Sequence, residues 1–481
     1  MPCFFPASRA APLCAVAFSA LLLSSCGDDA GTPTADLSEE ISGENDPFIA
    51  SARGLAVPDG YVVHEYIAEG TATDYAPEGE LGADGRWTFQ PDTSARYRTR
   101  VLVRRPADEA DMSGTVVVEW LNVSGGADAD PGFANLAEEI ARQGHIWVGV
   151  SAQIVGVEGG EALVGTGDAV GLVEADPERY GSLEHPGDGY SFDIFTQVAR
   201  ALREGGAAVG GVEPSEVIAA GQSQSAFALT TYYNGVQPLT GAFDGFFVHS
   251  RAAGALPLVE PGEAVSLTEV LTDTVHPVFR EDLDAPVMLL QAEGDVVGIL
   301  NSFAARQPDN EHLRLWEAAG TAHADTHIVG SLADTFDCGV AINDAPMHLV
   351  AKAAFNGLES WVRTGTAPPA ADRIDVDTSG SSPEVARDAD GIALGGIRTP
   401  PVDVPVDVLS GEPGPDGGTT CILFGSTVPL TDERIAELYP SRADYEDQYE
   451  TSTDATLQAG FVLEADRDAL LGYAQPERVD P

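Results

Sequence analysis

One corner of the chain constrains the fold more than any other feature. The apolar stretch Val217-Ile218-Ala219-Ala220 runs directly into Gly221-Gln222-Ser223-Gln224-Ser225-Ala226. The first segment reads as a short buried strand, and the residues from about Gln224 to Tyr233 read as a helix. A strand that turns into a helix within three residues leaves room only for small side chains two before and two after the apex. Gly221 and Ser225 meet that demand, which makes Ser223 the apex. Such a corner lifts the serine hydroxyl out at the carboxyl edge of a sheet. It also puts the Gln224 N–H at a helix start, where it suits a developing negative charge. The bare string G-x-S-x-S recurs by chance; its place after a buried strand gives it weight.

The rest of the chain supplies the sheet that this corner needs. Tyr61–Ala68, Tyr97–Val103, Thr115–Trp120, His145–Ser151, Phe243–His249, Pro286–Gln291 and Leu313–Glu317 read as strands. Phe133–Arg142, Asp193–Arg203 and Met347–Arg363 carry apolar residues at helical spacing. Strands alternating with helices predict a mostly parallel sheet covered on both faces, an α/β fold. Residues 152–189 and 252–284 are long insertions of the kind that form caps or binding loops. Past Ala371 the alternation stops, and Pro400–Pro405 reads as extended. The tail 371–481 is expected as an elaboration packed on the sheet, within one domain spanning 51–481.

A serine hydroxyl is a poor nucleophile unless a histidine takes its proton and a carboxylate orients that histidine. The strand Pro286–Gln291 leads into Ala292-Glu293-Gly294-Asp295, which puts two carboxylates past a strand's carboxyl end. Asp295 is the expected acid and Glu293 the alternative. The next strand leads through Ala318–Ala322 into His323. Nucleophile, acid and histidine therefore follow in one chain order, each on a loop at the same end of the sheet. His323 and His327 have the i, i+4 spacing of zinc ligands. A third ligand is not evident and the metalloprotease glutamate is missing from His323-Ala324-Asp325-Thr326-His327, so no metal is expected. A second oxyanion donor is expected from Asn122 or Val123, in the glycine-rich loop Trp120–Gly126.

Charge narrows the partners. The 481 residues carry 25 Lys+Arg against 76 Asp+Glu, a formal charge of −51. A carboxylate-coated surface repels phosphate backbones and excludes nucleic-acid binding. It also makes dianionic substrates worse suited than neutral ones. At the N-terminus, Arg9 precedes the apolar stretch Ala10–Leu23, followed by Ser24-Ser25-Cys26. The run is short for a membrane span and ends in small residues, as signal peptides do. Leu23-Ser24-Ser25-Cys26 resembles a bacterial lipobox, which implies cleavage before Cys26 and diacylation of its thiol. Residues 1–25 are thus expected as a signal peptide and 26–50 as a flexible tether rich in Gly, Asp, Thr and Ser. The mature chain would be exported and held at the cell envelope by its lipid. Only Cys338 and Cys421 then remain for pairing, and an oxidising compartment favours one disulfide over two free thiols.

Together, Glu119–Gly126, Val150–Gln153, Tyr190–Ile194, Ala220–Ala226, Asp244–Arg251, Trp316–Asp325, Gly395–Pro400 and Phe424–Pro429 resemble a bacterial family of α/β-hydrolase domain proteins. The resemblance runs from about residue 60 to 470. It implies an α/β-hydrolase fold with Ser223 and His323 as catalytic residues, and Asp295 beside them. It also implies that the tail after Ala371 belongs to the domain. The substrates of this family are largely uncharacterised, so it implies a reaction class only.

The expected activity is hydrolysis of a small carboxylic ester without a cofactor; an amide, lactone or thioester would use the same parts. Arg251, Gln153 and Tyr190 are candidates for lining the cleft, Arg251 as a partner for a substrate carboxylate or for one of the protein's own acids. The rival from another class is a catalytically silent lipoprotein that uses the fold to bind a ligand. A metal-dependent hydrolase, recognisable by loss of turnover in chelator, is a third possibility.

Overall fold

The computed structural model describes residues 33–51, 54–160, 162–164, 170–415 and 418–479. Eight strands form one sheet: β1 (Tyr61–Pro77), β2 (Phe89–Pro106), β3 (Thr115–Trp120), β4 (Ile146–Val150), β5 (Glu216–Gln222), β6 (Gly245–His249), β7 (Val287–Ala292) and β8 (Leu313–Ala318). Their order is β1-β2-β4-β3-β5-β6-β7-β8. β2 is antiparallel to both β1 and β4, and β4 through β8 run parallel. β1 and β2 extend well beyond the short apolar segments legible in the sequence and pair over nearly their full length, with one bulge between Thr73 and Tyr75.

The parallel strands are buried on both faces, so consecutive residues divide between two cores. Val116, Val118, Ala219, Phe246 and Val248 pack on one side with α2 (Ser191–Arg203) and α3 (Gln224–Thr231). Val117, Ile218, Ala220, Phe247 and Met288 face the other side, against α1 (Pro131–Gln143) and α4 (Met347–Thr364). Pro opens α1 and Gly144 ends it in the left-handed conformation, the asymmetry that helix termini favour.

Both edges of the sheet are covered, which keeps its free N–H and C=O groups from pairing with another chain. Along β1, Asp36 bridges to Glu69 and Glu40 to Tyr66, and Ile41 and Ile49 are buried. The described part of the expected tether, from Thr34 to Ala50, is therefore bound to the domain. Its Leu, Ile and Phe residues find apolar partners, a signal outweighed in the sequence by its polar composition. Cys26 and the expected signal peptide lie outside the described residues. Along β8, Ile397 makes a parallel bridge to Ala318.

That second cover belongs to the tail. After it, β9 (Asp407–Ser410) pairs with β10 (Ser426–Pro429), and α5 (Arg442–Ala459) packs Tyr445 and Tyr449 beside Tyr439. Pro400–Asp403 forms one helical turn after Thr399, not the extended segment expected from its prolines. Proline at a helix start lacks only an N–H that would find no partner there. From Thr34 onward the chain is one compact unit. Among the described residues no helix is long and apolar enough to cross a membrane.

Candidate active site

β5 ends at Gln222 and α3 begins at Gln224, which leaves Ser223 alone at the corner with φ 61° and ψ −123°. A non-glycine residue in that conformation is strained and persists only where its surroundings hold it. Here the Ser223 N–H donates to the His249 carbonyl at 2.9 Å. A Cβ on Gly221 would come within 3.0 Å of the Ser225 backbone, which accounts for the glycine two residues before the apex.

Two loops converge on this serine. His323 Nε2 lies 2.9 Å from Ser223 Oγ, and His323 Nδ1 lies 2.6 Å from Asp295 Oδ1. Asp295 is fully buried and His323 is 8% exposed. The other Asp295 oxygen accepts the Ala292 N–H at 2.6 Å, which fixes the carboxylate. With Asp295 accepting from Nδ1–H, Nε2 is left to accept a proton from the serine. The acid turn and the histidine loop are joined directly: Gly294 N–H donates to the Thr321 carbonyl and Glu293 N–H to Thr321 Oγ1.

Glu293, the alternative acid, faces away from His323. Its carboxylate accepts the Gly320 N–H at 2.7 Å, the Gly411 N–H at 2.9 Å and the Ser410 hydroxyl, and pairs with Arg387 at 2.7 Å. It ties the tail to the acid turn. Asn343 does related work from a fully buried position. Its amide donates to the Gly320 and Ser410 carbonyls, and its backbone N–H to the Phe424 carbonyl. Nothing in the sequence distinguished Asn343 from a loop asparagine.

The expected oxyanion donors divide. The Gln224 N–H opens α3 beside Ser223. The Asn122 N–H instead donates to the Ala129 carbonyl at 2.9 Å, and the Val123 N–H to Gln224 Oε1 at 3.1 Å. Both backbone groups expected from this loop are thus occupied, the first by the bridge between Asn122 and Ala129 and the second by the Gln224 side chain. Asn122 still borders the cavity over Ser223. Its side-chain amide gives one N–H to the Gln222 carbonyl at 3.0 Å and has a second.

The three candidates for lining the cleft are structural. Gln153 accepts from Trp120 Nε1 and Gln224 Nε2 and donates to Asp188. Tyr190 pairs its hydroxyl with Thr93. Arg251 meets neither a substrate position nor an acid: its guanidinium donates to the carbonyls of Ala252, Ala253 and Pro277 and lies 5.2 Å from the Phe279 ring centroid. Burial pulls its pKa down to about 9. His327 also leaves the site, stacking on His348 with ring centroids 3.8 Å apart and bonding to the Ala134 carbonyl.

A cavity of about 290 Å³ opens over Ser223 and His323. Its walls come from segments that sequence reasoning passed over: Ile328, Val329, Leu332 and Phe336 after the histidine loop, and Leu423 and Phe424 from the tail. Cys338 and Cys421 are joined by a disulfide behind this wall, in one cluster with Val329, Ile342 and Phe424. Of the two long insertions, 152–189 contributes Val164 to the cavity, whereas 252–284 borders a different one beside Trp87.

A family model described as alpha/beta hydrolase domain matches residues 32–472. Similar solved structures include an α/β serine hydrolase without lid from Xanthomonas campestris, at 14% identity over 60% of this chain and 95% of that one, TM-score 0.31. The esterase domain of a Rhodothermus marinus protein is 12% identical over 62% and 100%, TM-score 0.29. An α/β serine hydrolase homologue from Coxiella burnetii is 13% identical over 46% and 82%, TM-score 0.24. No curated protein matches the sequence.

Proposed function

The chain belongs to the alpha/beta hydrolase domain family, and from that premise we propose that it is a serine-dependent hydrolase of carboxylic esters. The observation that carries this reading is the unbroken line Asp295–His323–Ser223, held by hydrogen bonds of 2.6 and 2.9 Å at the floor of a cavity.

Ser223 Oγ attacks the ester carbonyl as its proton passes to His323 Nε2. The new Oγ–C bond and the broken carbonyl π bond leave the charge on the carbonyl oxygen. The Gln224 N–H and the second N–H of the Asn122 amide stabilise that oxyanion. Collapse breaks the bond to the alcohol oxygen, which takes the proton from His323. Water then attacks the acyl-enzyme, gives its proton to Nε2, and the acid leaves as Ser223 Oγ regains that proton. Asp295 stabilises the imidazolium in both halves. The same cycle serves an amide, lactone or thioester.

The Leu23–Cys26 sequence supports export and attachment by a lipid on Cys26, so that the enzyme works at the cell envelope on a small-molecule ester. Hydrolysis of p-nitrophenyl acetate by wild type and Ser223→Ala tests the reaction. Loss of at least about 10³-fold in kcat with an unchanged thermal melt is expected. Equal turnover by the two proteins refutes it.

A further inference from the structure

We infer that the ester recognised by this site is uncharged and carries one apolar arm, seated against the disulfide-stapled wall. The inference rests on the serine-hydrolase reading and narrows its substrate class.

Beyond Ser223 and His323 the cavity presents a continuous apolar wall. Ile328, Val329, Leu332, Phe336, Leu423 and Phe424 border it, and the Phe336 and Phe424 rings meet with centroids 4.8 Å apart. Leu332 stands 46% exposed, a large aliphatic side chain held partly in water at the cavity rather than in a core. A single exposed leucine is ordinary; one that borders a cavity over an activated serine offers a surface for a ligand to cover.

Charge points the same way. Among the described residues that border the cavity there is no arginine or lysine. Its one carboxylate, Asp130, is 3% exposed and already paired with Arg104 at 2.7 Å. Arg251, the cation expected to meet a substrate carboxylate, does not border this cavity, and its Nε and Nη2 donate to backbone carbonyls. An anionic substrate would leave water for an apolar pocket with no cation to receive it, on a protein of net charge −51.

The stapled wall also explains why the arm has a fixed seat. Its two halves come from residues 328–338 and 421–424, far apart in sequence, and the Cys338–Cys421 bond joins them across 83 residues. Ala324 N–H donates to the Leu423 carbonyl, so the wall is tied to the residue after His323. The wall and the catalytic base therefore keep one geometry.

The test uses the oxidised protein and two substrate series: p-nitrophenyl esters from acetate to decanoate, which lengthen the acyl arm, and alkyl acetates, which lengthen the alcohol arm. In one of the two, kcat/KM rises about fourfold per methylene over the first few carbons, the ratio equivalent to about 0.8 kcal/mol for each buried CH₂. Leu332→Asp and Phe336→Ala each cut the ratio of the six-carbon arm to the shortest arm at least threefold in that series; Leu332 is exposed enough for its variant to fold, as circular dichroism checks. The p-nitrophenyl hemisuccinate monoanion reacts at under a tenth of the kcat/KM of the pentanoate. Turnover of acetate with flat or falling profiles in both series, or a hemisuccinate as good as the pentanoate, overturns this inference and leaves the hydrolase reading intact. A wild type that neither hydrolyses acetate nor reacts with a fluorophosphonate overturns both.

Discussion

Glu293 and Asp295 stand two residues apart on one turn and are committed to different partners. Asp295 is 2.6 Å from His323, whereas Glu293 pairs with Arg387 and receives N–H groups from Gly320 and Gly411. Conservative amides at the two positions therefore have opposite effects. Asp295→Asn lowers kcat by about 10⁴-fold, because the amide favours the wrong histidine tautomer, and leaves the melting temperature nearly unchanged. Glu293→Gln keeps kcat within tenfold but costs about 1 to 3 kcal/mol of stability, since it leaves Arg387 with only the exposed carboxylate of Glu412. Steady-state kinetics and urea unfolding on the two variants check both halves.

Asn122 offers the remaining side-chain N–H beside the serine. Replacing it by alanine removes one oxyanion donor, so kcat falls by about 10²- to 10³-fold with a much smaller change in KM. A variant whose loss appears wholly in KM would assign Asn122 to ground-state binding instead.

The Cys338–Cys421 bond closes a loop with a sequence separation of 83. Loop-closure entropy sets its stabilisation at no more than about 5 kcal/mol. Cys338→Ser with Cys421→Ser unfolds at lower urea than wild type, and dithiothreitol lowers the wild-type midpoint while leaving that of the double variant in place. Identical midpoints in all four conditions would show that the bond adds no stability.

His249 ends β6 beneath the site; burial holds its pKa down to about 4, the neighbouring His323 adds to this, and Asp295 opposes it. The unfolded chain takes up that proton near pH 6.5 and the folded protein resists it. The stability linked to His249 is therefore present above pH 6.5 and lost as pH falls from there to about 4. His249→Gln cannot titrate. Between pH 7.5 and 4.5, wild type loses about 2 to 3 kcal/mol more unfolding free energy than the variant, as urea titrations at the two pH values measure. Parallel losses would show that His249 takes up its proton as readily in the folded protein as in the unfolded chain.

Much of this site is legible in the sequence because its parts are local. Ser223, Asp295 and His323 each follow a short apolar strand, and strand ends in a parallel sheet share one edge. A short run of β-formers recovered β3 without error, since Thr115–Trp120 is buried at every position. The same signal recovered only part of β1 and β2, where exposed and buried residues mix and where polar residues fill the far half of the hairpin. What stayed hidden depends on distant contacts. Arg251, Gln153 and Tyr190 sit near the right loops, yet each is held by partners that chain order does not disclose. The apolar wall escaped notice because Ile328–Phe336 and Leu423–Phe424 are ordinary loop sequences until the disulfide and Asn343 bring them together. The Asn122–Ala129 bridge that occupies an expected oxyanion donor is likewise a product of loop closure.

The most direct test of the central claim is covalent labelling of the folded protein, lacking residues 1–26, with a fluorophosphonate, read by intact mass and peptide mapping. An activated Ser223 predicts one adduct per chain on the peptide that contains it, lost in Ser223→Ala and retained in Ser225→Ala. A folded wild type that takes up no label, or a label that persists in Ser223→Ala, would contradict the assignment of Ser223 as the nucleophile.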